Sequence, residues 1–187
     1  MFNIILLGIT SLLTDISSEM VYPILPVYLV SVLGASPAIL GLIEGVAESA
    51  ASLLKVFSGY LSDKIKLRKP FTIIGYFCAA AGKFILYISN TWVFFFAGRT
   101  IDRLGKGIRT APRDAIIAES AAPGKRGAAF GLHRAMDTVG ACLGVGIAYI
   151  FITHYKVNLK NIFLLSIIPA LLGVIFLFFV REKKKEV

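Results

Sequence analysis

Long apolar segments alternate with short polar ones along the whole chain. The apolar segments occupy about residues 3–32, 38–61, 70–88, 92–113, 127–153 and 161–180. The hydrocarbon core of a bilayer requires about 20 helical residues, so each segment is long enough, or nearly so, to cross it. Ser36 followed by Pro37, and Pro70 at the start of the third segment, are helix start signals. The pattern predicts an all-α membrane protein with six transmembrane helices in one domain, residues 1–187.

The composition supports this prediction and argues against other classes of protein. Of the 187 residues 57% are hydrophobic, and the mean hydropathy is +0.78, whereas a soluble domain of this length would be far more polar. The formal net charge is +9, but the basic residues mostly lie between apolar segments, which is typical of membrane proteins rather than of nucleic-acid-binding surfaces. Cys78 and Cys142 lie inside apolar segments without the spacing of a metal site or disulfide. The expected partner is the lipid bilayer, with no nucleic acid, metal or cofactor.

Basic residues lie mainly in the loops on one side of the predicted membrane. They are Lys64, Lys66, Arg68 and Lys69 after the second segment, Arg113, Lys125 and Arg126 after the fourth, and Arg181, Lys183, Lys184 and Lys185 after the sixth. The opposite side has only Lys156 and Lys160. Because cytoplasmic loops are rich in lysine and arginine, we expect a multi-pass protein of the cell (inner) membrane with both termini in the cytoplasm.

Prolines and glycines inside the segments predict local departures from regular helix geometry and packing. Pro23 and Pro26 in the first segment and Pro169 in the sixth each remove a backbone hydrogen bond, so we expect local kinking or unwinding there. Glycines four residues apart, a spacing that lets helices approach closely, are Gly41 and Gly45, Gly127 and Gly131, and Gly140 and Gly144.

Ionisable residues are concentrated in four of the six segments. The third segment has only Lys83, and the sixth has none before Arg181. Charges at membrane depth are costly and normally face a bundle interior or a wet cavity. Segments one, two, four and five are therefore expected to surround a polar cavity, with segments three and six as outer supports. The candidates for substrate or proton handling are Asp15, Glu19, Glu44, Glu48, Asp102, Arg103, Lys106, Arg134 and Asp137.

The spacing of these charges leaves two interpretations open. Asp102 lies four residues before Lys106, and Arg134 three before Asp137, so each pair can form within its own helix. Acidic and basic residues are nearly balanced in the four segments. The alternative to a functional role is therefore that many of these groups simply pair with one another and hold the helices in register.

Two sequence motifs resemble those of a known family of membrane proteins. The loop that follows the second segment matches that family's loop at Gly59, Leu61, Ser62, Asp63, Lys64 and Arg68. The fourth segment matches a second motif at Arg99, Gly105 and Gly107, and the residues after it match at Pro112, Ala115, Glu119, Pro123, Arg126, Gly127 and Gly131. On these motifs the whole chain resembles the N-terminal six-helix half of a major facilitator superfamily transporter.

The chain also departs from the family's motifs at several positions. Lys66 stands where the family usually has glycine and Leu67 where it usually has a base, so we expect the turn to be shaped differently. In the fourth segment Asp102, Arg103 and Lys106 replace the family's glutamine, glycine and small residue.

The resemblance implies two six-helix halves that rock around a central site, each half built from two inverted three-helix repeats. It also implies a gating role for Asp63, Lys64, Arg68 and Arg99. Asp63 would cap a helix end in the opposite half, and Arg99 would be the buried arginine of the fourth helix. The Gly-Pro pattern of drug/proton antiporters is absent from the fifth helix, which weakens an antiporter assignment, and the coupling, symport or antiport, stays open.

The sequence thus favours a half-size secondary active transporter that moves a small anionic or zwitterionic solute. It would act as a homodimer or with a separate C-terminal half, because a lone half exposes its polar wall to lipid. The alternative is a non-transporting membrane subunit or a truncated remnant of a transporter. An enzyme is not expected, because no nucleophile, base and orienting group occur at useful spacing.

Overall fold

A computed structural model describes residues 1–182 of the chain. The first long element consists of α1 (Phe2–Val21), the short α2 (Ile24–Val27) and a π-helical segment (Tyr28–Val32). The other five are α3 (Pro37–Ile65), α4 (Lys69–Ile88), α5 (Trp92–Ser120), α6 (Arg126–Thr153) and α7 (Leu159–Phe178). The all-α prediction with six long helical elements is confirmed over these residues. The predicted basic residues Lys183, Lys184 and Lys185 lie outside the described residues.

Side chains at the helix starts explain where several of these elements begin. The Ser36 hydroxyl accepts a hydrogen bond from the backbone N–H of Ile39 at 3.4 Å, and Pro37 occupies the first helical position. Thr91 caps α5 and Asn158 caps α7 in the same manner. Each cap satisfies one of the backbone donors that a helix leaves free at its N-terminus.

Prolines have different effects in the first and last elements. The first element is interrupted after Val21, and its helix resumes at Ile24 beyond Pro23, which confirms the predicted unwinding. In contrast, α7 continues without a break past Pro169, so the helix is not unwound there, and the alternative of a kink at Pro169 stays a prediction.

Lys66 ends α3 in a left-handed backbone conformation, with φ of 57°. Glycine adopts this conformation most easily, and a residue in this conformation commonly ends a helix. The turn therefore takes the backbone geometry that a glycine would favour, although the chain has a lysine there. The expectation that the turn is shaped differently from the family's stays a prediction.

The helices pack in a pattern with an internal two-fold relation. α1 packs against α6 and α7, while α5 packs against α3 and α4. If α1, α3 and α4 form one repeat and α5, α6 and α7 the other, the first helix of each repeat packs against the second and third helices of the other repeat. Successive long helices run in opposite directions, so two repeats of three helices are inverted with respect to each other. The predicted pair of inverted three-helix repeats has this arrangement.

Glycines allow two of these helix pairs to approach closely. A methyl group at Gly107 of α5 would lie 2.5 Å from the backbone oxygen of Ala51 in α3. Gly140 and Gly144 of α6 contact the backbone of α1 in the same way, which confirms the prediction for that glycine pair.

The other two glycine pairs do not mediate contacts within this bundle. Added methyl groups at Gly41, Gly45, Gly127 and Gly131 would meet no atom within 4 Å among the described residues. The prediction of close contacts is therefore wrong for these four glycines within the six-helix unit. They leave open strips on α3 and α6.

Two apolar clusters occupy opposite ends of the bundle. Tyr28, Leu86 and Phe163 belong to one cluster, and Leu7 and Ile117 belong to the other. The buried charged side chains occupy helix positions between those that build the two clusters. The polar site therefore lies at mid-depth along the helices.

Composition separates the six elements into two kinds. Residues 2–32, α4, α6 and α7 are long and apolar enough to cross a membrane. α3 and α5 are each 29 residues long and carry more charged residues, and in α5 Arg99, Asp102, Arg109 and Arg113 are buried. α5 extends to Ser120, seven residues beyond the predicted end of the fourth segment at 113.

Candidate functional site

A cavity of about 370 Å³ opens between α1, α3, α5 and α6. These are the four elements expected to surround a polar cavity, and neither α4 nor α7 contributes a lining residue. The charged side chains on its wall are Asp15, Glu19, Glu48, Lys55, Lys106, Arg109, Arg113, Arg134 and Asp137. Six of the nine candidates for substrate or proton handling are therefore brought together on one wall, and their role stays a prediction.

The remaining candidates belong to an ion-pair network beside the cavity. Arg99 is only 2% exposed, and its Nε and Nη2 donate to the two carboxylate oxygens of Glu44 at 2.6 and 2.7 Å. Its Nη1 donates to Asp102 at 3.3 Å. Arg103 completes the network through Glu48, at 3.6 Å. The predicted burial of Arg99 is confirmed, and this arginine joins α3 to α5.

Lys83 is a member of this network that sequence reasoning did not select. It lies on α4, is 1% exposed, and its Nζ donates to Asp102 at 3.2 Å and to Ser18 at 3.4 Å. The interpretation of the third segment as only an outer support is therefore wrong. A lone lysine in an otherwise apolar helix was the available signal, because such a charge must find a buried partner.

Asp102 is surrounded by cations from two helices. Lys83, Arg99 and Arg103 all lie within 4 Å of its carboxylate. The predicted pair with Lys106 does not form, because Asp102 turns toward α4. Together the network contains three bases and three acids, so it is electrically balanced. For this group the charges pair with one another and connect the helices, as the alternative to a functional role predicts.

The α6 side of the cavity contains a second group of charges. Arg134 lies 3.4 Å from Asp137, as its spacing predicts, and His133 Nδ1 lies 3.5 Å from the same carboxylate oxygen. Arg113, which the sequence placed in a loop, is instead buried inside α5, where it contacts Asp114 at 2.9 Å and Ser11 at 3.3 Å. It lies on the cavity wall, within a helix that continues to Ser120.

The residues predicted to form a gate lie at one end of the bundle, apart from Arg99. Arg68 bridges Asp63 at 2.7 Å and Glu119 at 2.5 Å. Burial alone lowers the pKa of Arg68, but the carboxylates of Glu119 and Asp63 outweigh it and hold the pKa above its usual value. Lys64 lies over the ring of Tyr60. The gating role of these residues stays a prediction.

This same end holds both ends of the described chain. The Asn3 side chain donates to the backbone oxygen of Arg181 at 2.7 Å and to Ser120 at 3.1 Å. Glu182 accepts hydrogen bonds from the backbone N–H groups of Arg68 and Lys69 at the start of α4. The N-terminus, the α3–α4 turn and the end of α5 therefore lie on one side.

The family model described as Major Facilitator Superfamily matches residues 7–187. The chain belongs to the Major Facilitator Superfamily. This family consists of membrane transporters rather than enzymes, and with its apolar helices the chain is a multi-pass membrane protein. The two motif matches found in the sequence are thus matches to the correct family.

Relatives of the chain within the superfamily are longer than it is. It is 44% identical over 181 residues to an uncharacterized MFS-type transporter of Methanocaldococcus jannaschii, covering 97% of this chain and 45% of that one. It is 28% identical to the multidrug resistance protein MdtH of Edwardsiella ictaluri, covering 73% of this chain and 34% of that one. The chain thus spans less than half the length of these superfamily relatives.

Solved structures of superfamily members share the fold. The peptide transporter POT in complex with sulfate matches 94% of this chain and 37% of its own, with a TM-score of 0.80 and 21% identity. The human organic anion transporter MFSD10 matches 97% of this chain and 47% of its own, with a TM-score of 0.75 and 18% identity. At these identities the likeness shows the fold alone.

Proposed function

We propose that these six helices form one half of a secondary active transporter that moves a small anionic or zwitterionic solute by alternating access. The observation that carries the proposal is the cavity, whose wall combines nine charged side chains at mid-depth of a membrane bundle. Charges in a bilayer are costly, and they normally mark a substrate or ion pathway. Ion pairing between helices is enough to explain the balanced network around Asp102. The cavity wall carries further charges that do not belong to this network.

The exposed side of the cavity supports a second six-helix unit. The side chains of Glu48 and Arg134 on the wall are 58% and 79% exposed, which is unfavourable against lipid. We propose that a second unit, either an identical copy or a separate C-terminal half, covers this face. The open strips include Gly45 and Gly131, which lie three residues before the wall residues Glu48 and Arg134, and they allow close helix contacts there.

The basic end of the bundle supports an orientation. Lys64, Arg68 and Arg126 lie near the end that holds the N-terminus. We propose that this end faces the cytoplasm and that the protein lies in the cell (inner) membrane, since basic loops are retained on the cytoplasmic side.

Solute uptake tests the transport function. The full chain is reconstituted in liposomes, and uptake of a panel of amino acids, carboxylic acids and organic phosphates is driven by an imposed pH gradient. We expect Asp15→Asn and Glu19→Gln to reduce uptake by at least about tenfold, because both acids would lose their charge on the wall.

The uptake experiment has a matched control and a clear contrary result. Arg126 is exposed at the start of α6, away from the cavity wall, and Arg126→Gln should transport like the original chain. Folded protein that takes up no solute of the panel would favour a non-transporting subunit. Unchanged uptake by both acid variants would remove Asp15 and Glu19 from the mechanism.

Leucine at the open glycines tests the second unit. We expect Gly45→Leu and Gly131→Leu to leave thermal stability unchanged or raised by up to about 1 kcal/mol, because leucine favours helix more than glycine does. The bulky side chains should instead block a second unit, lowering chemical crosslinking in bilayers by at least about tenfold. Crosslinking that survives both substitutions would contradict an interface on α3 and α6.

A further inference from the structure

Arg109 on the cavity wall is held in place without an ion-pair partner. It is 5% exposed, and its guanidinium carbon lies 4.2 Å from the centroid of the Tyr76 ring. α4 and α5 cross tightly at this point, since an added methyl group at Gly75 would lie 2.6 Å from both Cβ of Arg109 and the backbone oxygen of Gly105. The ring and the helix crossing together fix the position of the guanidinium.

The donors of this guanidinium are not used within the bundle. Nε and Nη1 of Arg109 have no hydrogen-bond partner among residues 1–182, and no carboxylate in that range lies within 4 Å of it. A buried charge without hydrogen bonds is strongly unfavourable. Lys106, one helical turn earlier on the same wall, also has no ion-pair partner within 4 Å in the described chain.

Two carboxylates face the cavity from α1 in the same unpaired state. Asp15 and Glu19 are four residues apart, so they lie on one face of the helix. Neither has an ion-pair partner within 4 Å in the part of the chain that the structure describes. Asp15 is thus farther than 4 Å from the cations of Lys106, Arg109 and Arg113 on the opposite helix, so a gap separates it from all of them.

The neighbouring network shows that this gap is not a general feature of the helices. Arg99 and Lys83, on α5 and α4, are both paired at distances of 2.6 to 3.3 Å. In the cavity, by contrast, two acids and three bases, Lys55 among them, have no ion-pair partner within 4 Å in the described part of the chain. A ligand with one charge of each sign would satisfy both sets, whereas a simple anion or a simple cation would leave one set unpaired.

We propose, resting on the proposed transport function, that the cavity binds a small amphoteric solute with an acid group and an amine. Lys106 and Arg109 bind the acid group, a carboxylate or phosphate, because a fixed guanidinium binds such oxygens in a bidentate manner. Asp15 and Glu19 accept hydrogen bonds from the amine. The ligand replaces the missing ion pairs and bridges the gap between α1 and α5.

Probe binding to the full chain in nanodiscs tests the proposal, with thermal stabilisation and calorimetry as readouts. β-Alanine is compared with propionate and ethylamine, which each carry one of its two charges, and O-phosphoethanolamine is compared with inorganic phosphate. At least one amphoteric probe should bind at least about tenfold more tightly than its single-charge counterparts, since each lost charge-assisted contact weakens binding by about this factor. The two amphoteric probes distinguish a carboxylate ligand from a phosphate.

Variants on each side of the gap test separately the binding of the acid group and of the amine. Arg109→Gln should weaken binding of the amphoteric probe by at least about tenfold and leave ethylamine binding unchanged. Asp15→Asn should weaken the same probe similarly and leave propionate binding unchanged. Arg126→Gln is the control, and Arg109→Lys, which keeps the charge but loses the planar fork, should bind at an intermediate level if Arg109→Gln fails to fold.

Several outcomes overturn the proposal without deciding the transport function. These are equal binding of single-charge and amphoteric probes, unchanged binding in both variants, and no binding of any of the probes. Binding does not require transport, so an amphoteric probe that binds without uptake contradicts only the transport function. Uptake of solutes with one sign of charge alone would support transport and contradict an amphoteric substrate.

Discussion

Replacing Asp102 with asparagine is expected to lower the free energy of unfolding by about 3–5 kcal/mol, the range for a buried ion pair that loses one partner. The substitution keeps the shape of the side chain but removes the charge that Lys83, Arg99 and Arg103 share. Lys83 is affected most, because it is 1% exposed and Asp102 is its only carboxylate within 4 Å among the described residues. Arg99 and Arg103 retain Glu44 and Glu48. Thermal and denaturant unfolding in detergent micelles measures the loss.

Two further variants distinguish the loss of charge pairing from a general effect of the substitution. Asp63→Asn makes the same change at a carboxylate that is 63% exposed, so its effect should stay below about 1 kcal/mol. Lys83→Met combined with Asp102→Asn removes both charges and should recover part of the stability, because no ammonium is then buried alone. A single Asp102→Asn variant as stable as the original chain would contradict the importance of the network.

The helices themselves were predictable because their boundaries depend on local features. Apolar segments of membrane length, the cap at Ser36 and the break at Pro23 are all encoded within a few residues of the element that they define. The end of the charged helix α5 was not predictable from hydropathy. Hydropathy alone ends the fourth segment at 113, whereas α5 extends to Ser120, because its last two turns bury Ile116 and Ile117 and leave polar side chains on the other face.

The partners of the buried charges could not be predicted, because pairing depends on how the helices rotate against each other. Lys83 and Asp102 are 19 residues apart and lie on adjacent helices that cross at Gly82 and Gly98. The spacing of Asp102 and Lys106 fits an intrahelical pair equally well. Only the close crossing of α4 and α5 turns Asp102 toward α4 and leaves Lys106 for the cavity.

The same limit applies to the candidate site. The concentration of charges in four segments predicted which helices would form its wall, since costly groups must share a polar environment. The concentration of charges did not show which of them pair in the network around Asp102 and which stay without an ion-pair partner on the cavity wall. Arg109 in particular looks like the other basic residues of α5 in the sequence, and only the Tyr76 ring and the missing acceptors set it apart.

A spacing of four residues between glycines did not predict which glycines contact a neighbouring helix. Gly45 and Gly140 both belong to pairs with a spacing of four, but only Gly140 contacts a neighbouring helix within the bundle. Gly107 has no glycine four residues away, and yet it lies directly against the backbone of Ala51. The two-fold relates the two crossings, α5 with α3 and α1 with α6, although the glycine lies on the first helix of the repeat at Gly107 and on the second at Gly140.

Alanine at Gly107 or Gly140 is expected to destabilise the bundle by about 1–3 kcal/mol, because the added methyl group would press on the backbone of the facing helix, which cannot move without separating the repeats. The same substitution at Gly45 or Gly131, where nothing lies within 4 Å among the described residues, should instead be neutral or stabilising by up to about 1 kcal/mol. Thermal unfolding of the four variants in micelles measures the difference. Equal stability of all four would show that the α3–α5 and α1–α6 crossings do not hold the two repeats together.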